Sequence, residues 1–111
     1  MDLSALDRTL AALADPYRRA TVDLLRQGPR PAGDLARALG LQPPAMSRHL
    51  KTLRQCGLVS EAHPPFDARL RVYSLHPAPM IELQAWLAQA EANWSDQLIA
   101  FKAHVEASPQ E

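Results

Sequence analysis

The segment from Ala32 to Val59 constrains this chain most, because it reads as two short helices joined by a four-residue turn, the second running into a β-strand. In Gly33-Asp34-Leu35-Ala36-Arg37-Ala38-Leu39, Leu35 and Leu39 share one face at i,i+4, and Gly40 suits a left-handed C-cap. The turn is Gly40-Leu41-Gln42-Pro43. Pro43 fits the first position of the second helix, where its missing N–H would have no intrahelical partner, and Gly57 closes that helix. At about 100° per residue, Met46, Leu50 and Leu53 fall within roughly 60° of one another. Pro44, Ser47, Arg48, Lys51 and Gln55 take the opposite side. A helix divided in this way packs with one face and can enter a groove with the other. This is the outline of a helix-turn-helix whose reading helix spans about 43–56.

The flanking segments extend the pattern. A first helix from about Leu3 to Ala14 places Leu3, Leu6, Leu10 and Leu13 in one narrow apolar seam. Asp15 can cap a second helix and Pro16 can occupy its first turn. That helix reaches about Gln27, with Tyr17, Ala20, Leu24 and Leu25 as candidate core, and Gly28-Pro29-Arg30-Pro31 ends it. After the reading helix, residues 58–62 and 70–75 read as strands joined by the loop 63–69, which describes a wing. A last helix runs from Pro77 or Pro79 to about Glu106, with Leu83, Leu87, Ala90, Trp94, Leu98, Phe101 and Val105 spaced by threes and fours. The expected fold is mainly α with a small β-wing, a winged helix-turn-helix in the order α-α-α-α-β-β-α. One domain is expected over residues 1–111, its terminal helices, 3–14 and about 78–106, serving dimerisation.

Length and composition agree with one small domain: 111 residues, 47% of them apolar. A domain of this size buries only part of its surface, so burial against a second copy would help it. So long a stripe on the last helix exceeds what a winged domain's own core needs. No stretch approaches the ~18 apolar residues of a membrane span, and Met1-Asp2-Leu3-Ser4 lacks a basic segment followed by an apolar run. A cytoplasmic protein with no membrane partner is expected. Cys56, the single cysteine, excludes an intrachain disulfide and reads as a small packing residue.

Net charge is zero, but its distribution is not even. From Tyr17 to Arg71 there are ten basic residues against four acidic ones, and the two ends carry the compensating negative charge. A positive centre between negative ends suits a DNA-facing core with a separate assembly surface.

The segments Leu13-Ala14-Asp15-Pro16-Tyr17-Arg18-Arg19, Asp34 to Leu41 and Pro44 to Arg54 resemble the winged-helix repressors of the ArsR/SmtB type. The resemblance covers about residues 6–76. It implies a homodimeric transcription regulator that pairs through its first and last helices, hence dimer contacts from Leu3, Leu6, Leu10, Leu13, Leu83, Leu87, Ala90, Trp94, Leu98 and Phe101. Many such regulators sense metals. Here the thiolate positions would fall on Pro31 and Gly33, and the carboxylate and imidazole positions on Pro77, Pro79, Ala90 and Asn93. Of these only Asn93 has even a weak donor, so neither a metal site nor a cofactor is expected.

The expected function is sequence-specific DNA binding by a homodimeric repressor on an inverted-repeat operator in double-stranded DNA. Arg48 is the expected base reader, since a guanidinium can bond guanine O6 and N7 together. Ser47 serves a base or a phosphate, Lys51 and Arg54 serve phosphates, and Arg69 and Arg71 serve backbone or minor groove near the wing. Gln42 is a further candidate DNA contact; it occupies the capping position before the reading helix, where Ser is common in similar proteins and would cap better. His49 lies some 60–70° from the centre of the apolar face; it remains a candidate DNA contact, although that angle favours boundary packing. Pro43-Pro44 and a weakly basic wing motivate a second reading, a winged-helix module that binds a protein or a small inducer without reading DNA. Trp86, Trp94 and Phe101 could line an inducer pocket, although dimer core is the commoner use of such residues. An enzyme is not expected: no nucleophile and base share a motif, and four histidines are scattered singly.

Overall fold

A computed structural model describes residues 4–107. Helix α1 spans Ala5–Leu13 and opens with a reciprocal cap. Ser4 Oγ accepts from the Asp7 amide at 3.1 Å, and the Asp7 carboxylate accepts from the Ser4 amide at 3.2 Å. The helix therefore begins later than the leucine seam suggested, and Leu3 lies outside the described residues. Helix α2, Pro16–Leu25, starts as its sequence dictates: Asp15 Oδ1 accepts from the amides of Tyr17 (2.8 Å) and Arg18 (3.2 Å), and Pro16 opens the first turn.

Next come β1 (Arg30–Pro31), α3 (Ala32–Leu39), α4 (Pro43–Gln55), β2 (Val59–Ala62), β3 (Val72–Leu75) and α5 (Ala78–Ala107). Gly40 sits at φ +66, and the Leu41 amide reaches back to the Ala36 carbonyl at 2.9 Å, closing α3 so that α4 can turn across it. The three strands form one antiparallel sheet in the order β1-β3-β2. Val59 faces Leu75 and Ala62 faces Val72, so β2 and β3 make the wing, with residues 63–71 at its tip.

The fold class is the expected one, and three details differ. The element order is α-α-β-α-α-β-β-α, because Arg30 pairs with Tyr73 and Pro31 with Val72. Pro31 lacks an N–H, a deficiency that an edge strand tolerates. The wing strands are shorter than the apolar runs suggested, with Leu58 left buried between helix and strand, its carbonyl accepting from the His76 amide at 2.8 Å. On α2 the buried residues are Thr21, Val22 and Leu25, whereas Tyr17 is exposed. Thr21 can be buried because its hydroxyl donates to the Tyr17 carbonyl at 2.8 Å.

The core gathers Leu35, Met46, Leu50, Leu53, Leu58 and Tyr73 with Val22, Leu25 and Val59. Each large apolar side chain so buried contributes about 1.5–3 kcal/mol. All three apolar residues of the α4 stripe end here, which fixes the opposite face of α4 outward. The first turns of α5 close the domain through Leu83, and the rest of this 30-residue helix projects away from it. The molecule is accordingly elongated, 75 × 30 × 27 Å. Among the described residues no helix is long and apolar enough to cross a membrane.

Candidate nucleic-acid interface

Helix α4 positions the candidate reading residues by burying Met46, Leu50 and Leu53. Arg48 and Lys51 are exposed on the outward side, and among the described residues neither is held in an ion pair. Gln42 occupies the N-cap position and its side chain makes no capping bond, so the first turn of α4 leaves its amides without that partner. Ser47 is half-buried, and its Oγ accepts from Arg71 Nη2 at 3.4 Å. That bond joins the residue just before β3 to the first half of the reading helix, and the Arg71 carbonyl accepts from the Ala32 amide at 3.1 Å.

His49 is half-buried at the corner between α1 and α2. Its Nδ1 lies 3.3 Å from Arg18 Nη1 and 4.0 Å from Asp15 Oδ1, and its ring stands 5.8 Å from that of Tyr17. Arg18 also donates to the Ala12 carbonyl at 2.6 Å, so one guanidinium ties the end of α1 to α4. Burial would raise the Asp15 carboxyl, but the amides of Arg18 and Tyr17 and the nearby His49 and Arg18 charges outweigh it and hold Asp15 below the usual 3.8.

Arg54, at the other end of α4, turns to the wing. Its Nη1 donates to Glu61 Oε2 at 2.8 Å, and the same oxygen accepts from the Tyr73 hydroxyl at 3.0 Å. His63 Nε2 lies 3.1 Å from Glu61 Oε1. Burial would push this carboxyl up, yet the Tyr73 hydrogen bond and the charges of Arg54, His63 and Arg71 prevail and hold it below 4.5. Burial and the bond to Glu61 raise the Tyr73 hydroxyl above 10.0. At the wing tip Asp67 Oδ1 accepts from the Arg69 amide at 3.0 Å, while the Arg69 side chain is almost wholly exposed.

The structure thus brings Gln42, Ser47, Arg48, Lys51 and Arg71 around the outward face of α4, with Arg69 out on the wing, and turns His49 and Arg54 toward other parts of the chain. Sequence reasoning missed Glu61 and Tyr73. The available signal was that Glu61 is the one acidic residue between Asp34 and Asp67, on the strand that follows a helix ending in Arg54.

On the α5 side, Leu6 and Leu13 are half-buried, Leu10 is exposed and Leu83 is buried within the chain itself. Ala90 is half-buried, whereas Leu87, Trp94 (61%), Leu98 and Phe101 (67%) remain exposed. Trp94, Gln97, Leu98 and Phe101 line an apolar hollow of about 440 Å³ on that face.

A reading helix with an apolar inner face and a basic outer one, followed by a two-stranded wing within a three-stranded sheet, defines a winged helix-turn-helix regulator. Residues 15–61 match the family described as "Bacterial regulatory protein, arsR family". The chain is 45% identical over 78 residues to the HTH-type transcriptional regulator Rv2034 of Mycobacterium tuberculosis, covering 70% of each chain. It is 36% identical to the transcriptional repressor SdpR of Bacillus subtilis, over 74% of this chain and 88% of that one. An ArsR-like transcriptional regulator from Rhodococcus sp. RHA1 superposes with a TM-score of 0.75 at 28% identity, over 94% of this chain and 95% of that one. The chain belongs to the ArsR family: it is a transcriptional regulator with a DNA-binding helix-turn-helix.

Proposed function

We propose that this chain is a homodimeric repressor that places its two α4 helices in successive major grooves of an inverted-repeat operator. Half-sites roughly 34–36 Å apart would suit such a dimer. The observation that carries the reading is the outward face of α4, where Arg48 and Lys51 stand exposed, without an ion-pair partner among the described residues, opposite a fully buried apolar stripe. Arg48 reads a base edge, and Ser47 supports it from the same face. Lys51 binds phosphate, and Arg69 reaches the backbone or minor groove from the wing. Dimerisation is supported by the exposed seam of Leu87, Trp94, Leu98 and Phe101 on α5, and by Leu10, likewise exposed on α1. Repression accords with the name of the SdpR relative.

The test is a gel shift on DNA from upstream of the chain's own gene, with sedimentation to fix the mass of the bound species. Arg48→Ala should weaken specific binding by about 1–3 kcal/mol if its contact is bidentate. Full operator affinity in Arg48→Ala combined with Lys51→Ala would remove the reading, as would a protein that stays monomeric at micromolar concentration.

A further inference from the structure

Arg54 lies on the same helix as the DNA-facing residues, one turn beyond Lys51, and its charge would suit a phosphate. The structure gives that guanidinium another anion. Glu61 is 13% exposed at its side chain, and among the described residues Arg54 is its one permanently cationic partner at hydrogen-bond distance, the others being Tyr73 and His63. Arg54 could leave only by exchanging a charge-assisted bond at a sheltered carboxylate for a salt-screened phosphate, and by stranding Glu61 with weaker partners. Tyr73 is itself fully buried in the core, so the carboxylate is anchored from below and cannot follow the guanidinium outward.

We infer that Glu61 acts as an internal stand-in for phosphate that withholds Arg54 from the DNA backbone and locks the wing to the end of the reading helix. The inference rests on the DNA-binding orientation of α4 proposed above. Its consequence is for specificity. A phosphate contact strengthens binding to every sequence alike, whereas base contacts discriminate, so a cation held back by Glu61 lowers non-specific affinity and leaves base reading untouched. Glu61 is thereby a positioning residue for DNA recognition that does not itself touch DNA.

The experiment measures fluorescence anisotropy of a labelled duplex of about 30 bp and arbitrary sequence, titrated between about 50 and 300 mM salt, where each phosphate contact contributes about 0.9 to the slope of log K against log salt. The proteins are wild type, Arg54→Ala, Glu61→Gln, the double variant, and Tyr73→Phe as a control that removes a neighbouring bond but leaves the ion pair. Arg54→Ala and Tyr73→Phe are expected to keep the wild-type slope. Glu61→Gln, which retains an oxygen to accept from Tyr73, is expected to steepen it by about 0.9 and to bind roughly three- to eightfold tighter near 0.1 M salt. The double variant is expected to return to the wild-type slope, which separates release of Arg54 from the mere loss of a negative charge. A flatter slope for Arg54→Ala in the wild-type background would overturn the inference, and so would Glu61→Gln with no change or with a change that persists in the double variant. Wild-type protein without salt-dependent binding would overturn the parent reading and this inference together.

Discussion

Along α4, Met46, Leu50 and Leu53 are all buried, and among the described residues no buried polar side-chain atom lacks a partner. Along α5 beyond Gln84, residues of the same chemical kind (Leu87, Trp94, Leu98, Phe101) stand in solvent, and Ala90 is the one residue of that stretch that is even half-buried. Both helices carry apolar residues at threes and fours, so the difference does not come from local pattern. It comes from what lies opposite: α4 meets α2, α3 and β2, whereas α5 outruns the domain after its first turns. A helical stripe therefore states that a surface must be covered without stating by which chain.

The sharpest way to break this contrast is to compare leucine truncations on the two helices. Leu50→Ala in α4 is expected to cost about 2–5 kcal/mol in urea unfolding, through lost transfer energy and a residual cavity. Leu98→Ala should cost the isolated chain far less, and an equal loss in both would show that α5 folds back in solution. Next in size, Trp94→Glu should weaken self-association by about 2 kcal/mol or more, roughly 30-fold in the dissociation constant by sedimentation, as expected of a central aromatic anchor. An unchanged dissociation constant would detach the seam from dimerisation.

A smaller effect tests how the winged core keeps its two crossing helices in register. Gly40→Ala meets no atom within 4 Å, so its expected cost of about 1–2 kcal/mol is purely that of holding a side chain at positive φ. A thermal melt unchanged by this substitution would show that the turn relaxes freely. The smallest expected effect is with acid. Folding lowers the Glu61 and Asp15 carboxyls below 4.5 and 3.8, so the stability they contribute is complete above those values and is lost as pH falls through the folded ones. The melting temperature should start to fall below about pH 4.5, and Glu61→Gln should flatten that part of the profile.

The sequence disclosed its local chemistry well. Asp15-Pro16 start a helix and Gly40 ends one, because caps and left-handed turns depend on a few neighbouring atoms. The stripe of α4 was equally legible, since its period is intrinsic to the helix. Strand β1 was not: Arg30-Pro31 has no strand character of its own and exists because β3 offers Tyr73 and Val72 as partners. The α2 core was misjudged because Thr21 satisfies its hydroxyl within the helix and can be buried, while Tyr17 sits outside against His49. For the candidate interface, residue type alone nominated Arg48, Lys51 and Arg54 alike.

Spacing and hydrogen bonds a few residues long sufficed to set the helices, the caps at Asp15 and Gly40, and the side of α4 that must turn inward. Tertiary structure alone decided that Arg54 meets Glu61, that His49 meets Arg18, and that Leu83 is used internally while Leu98 is not. Those outcomes depend on distances between segments far apart in the chain, which packing of the core sets and no local pattern encodes.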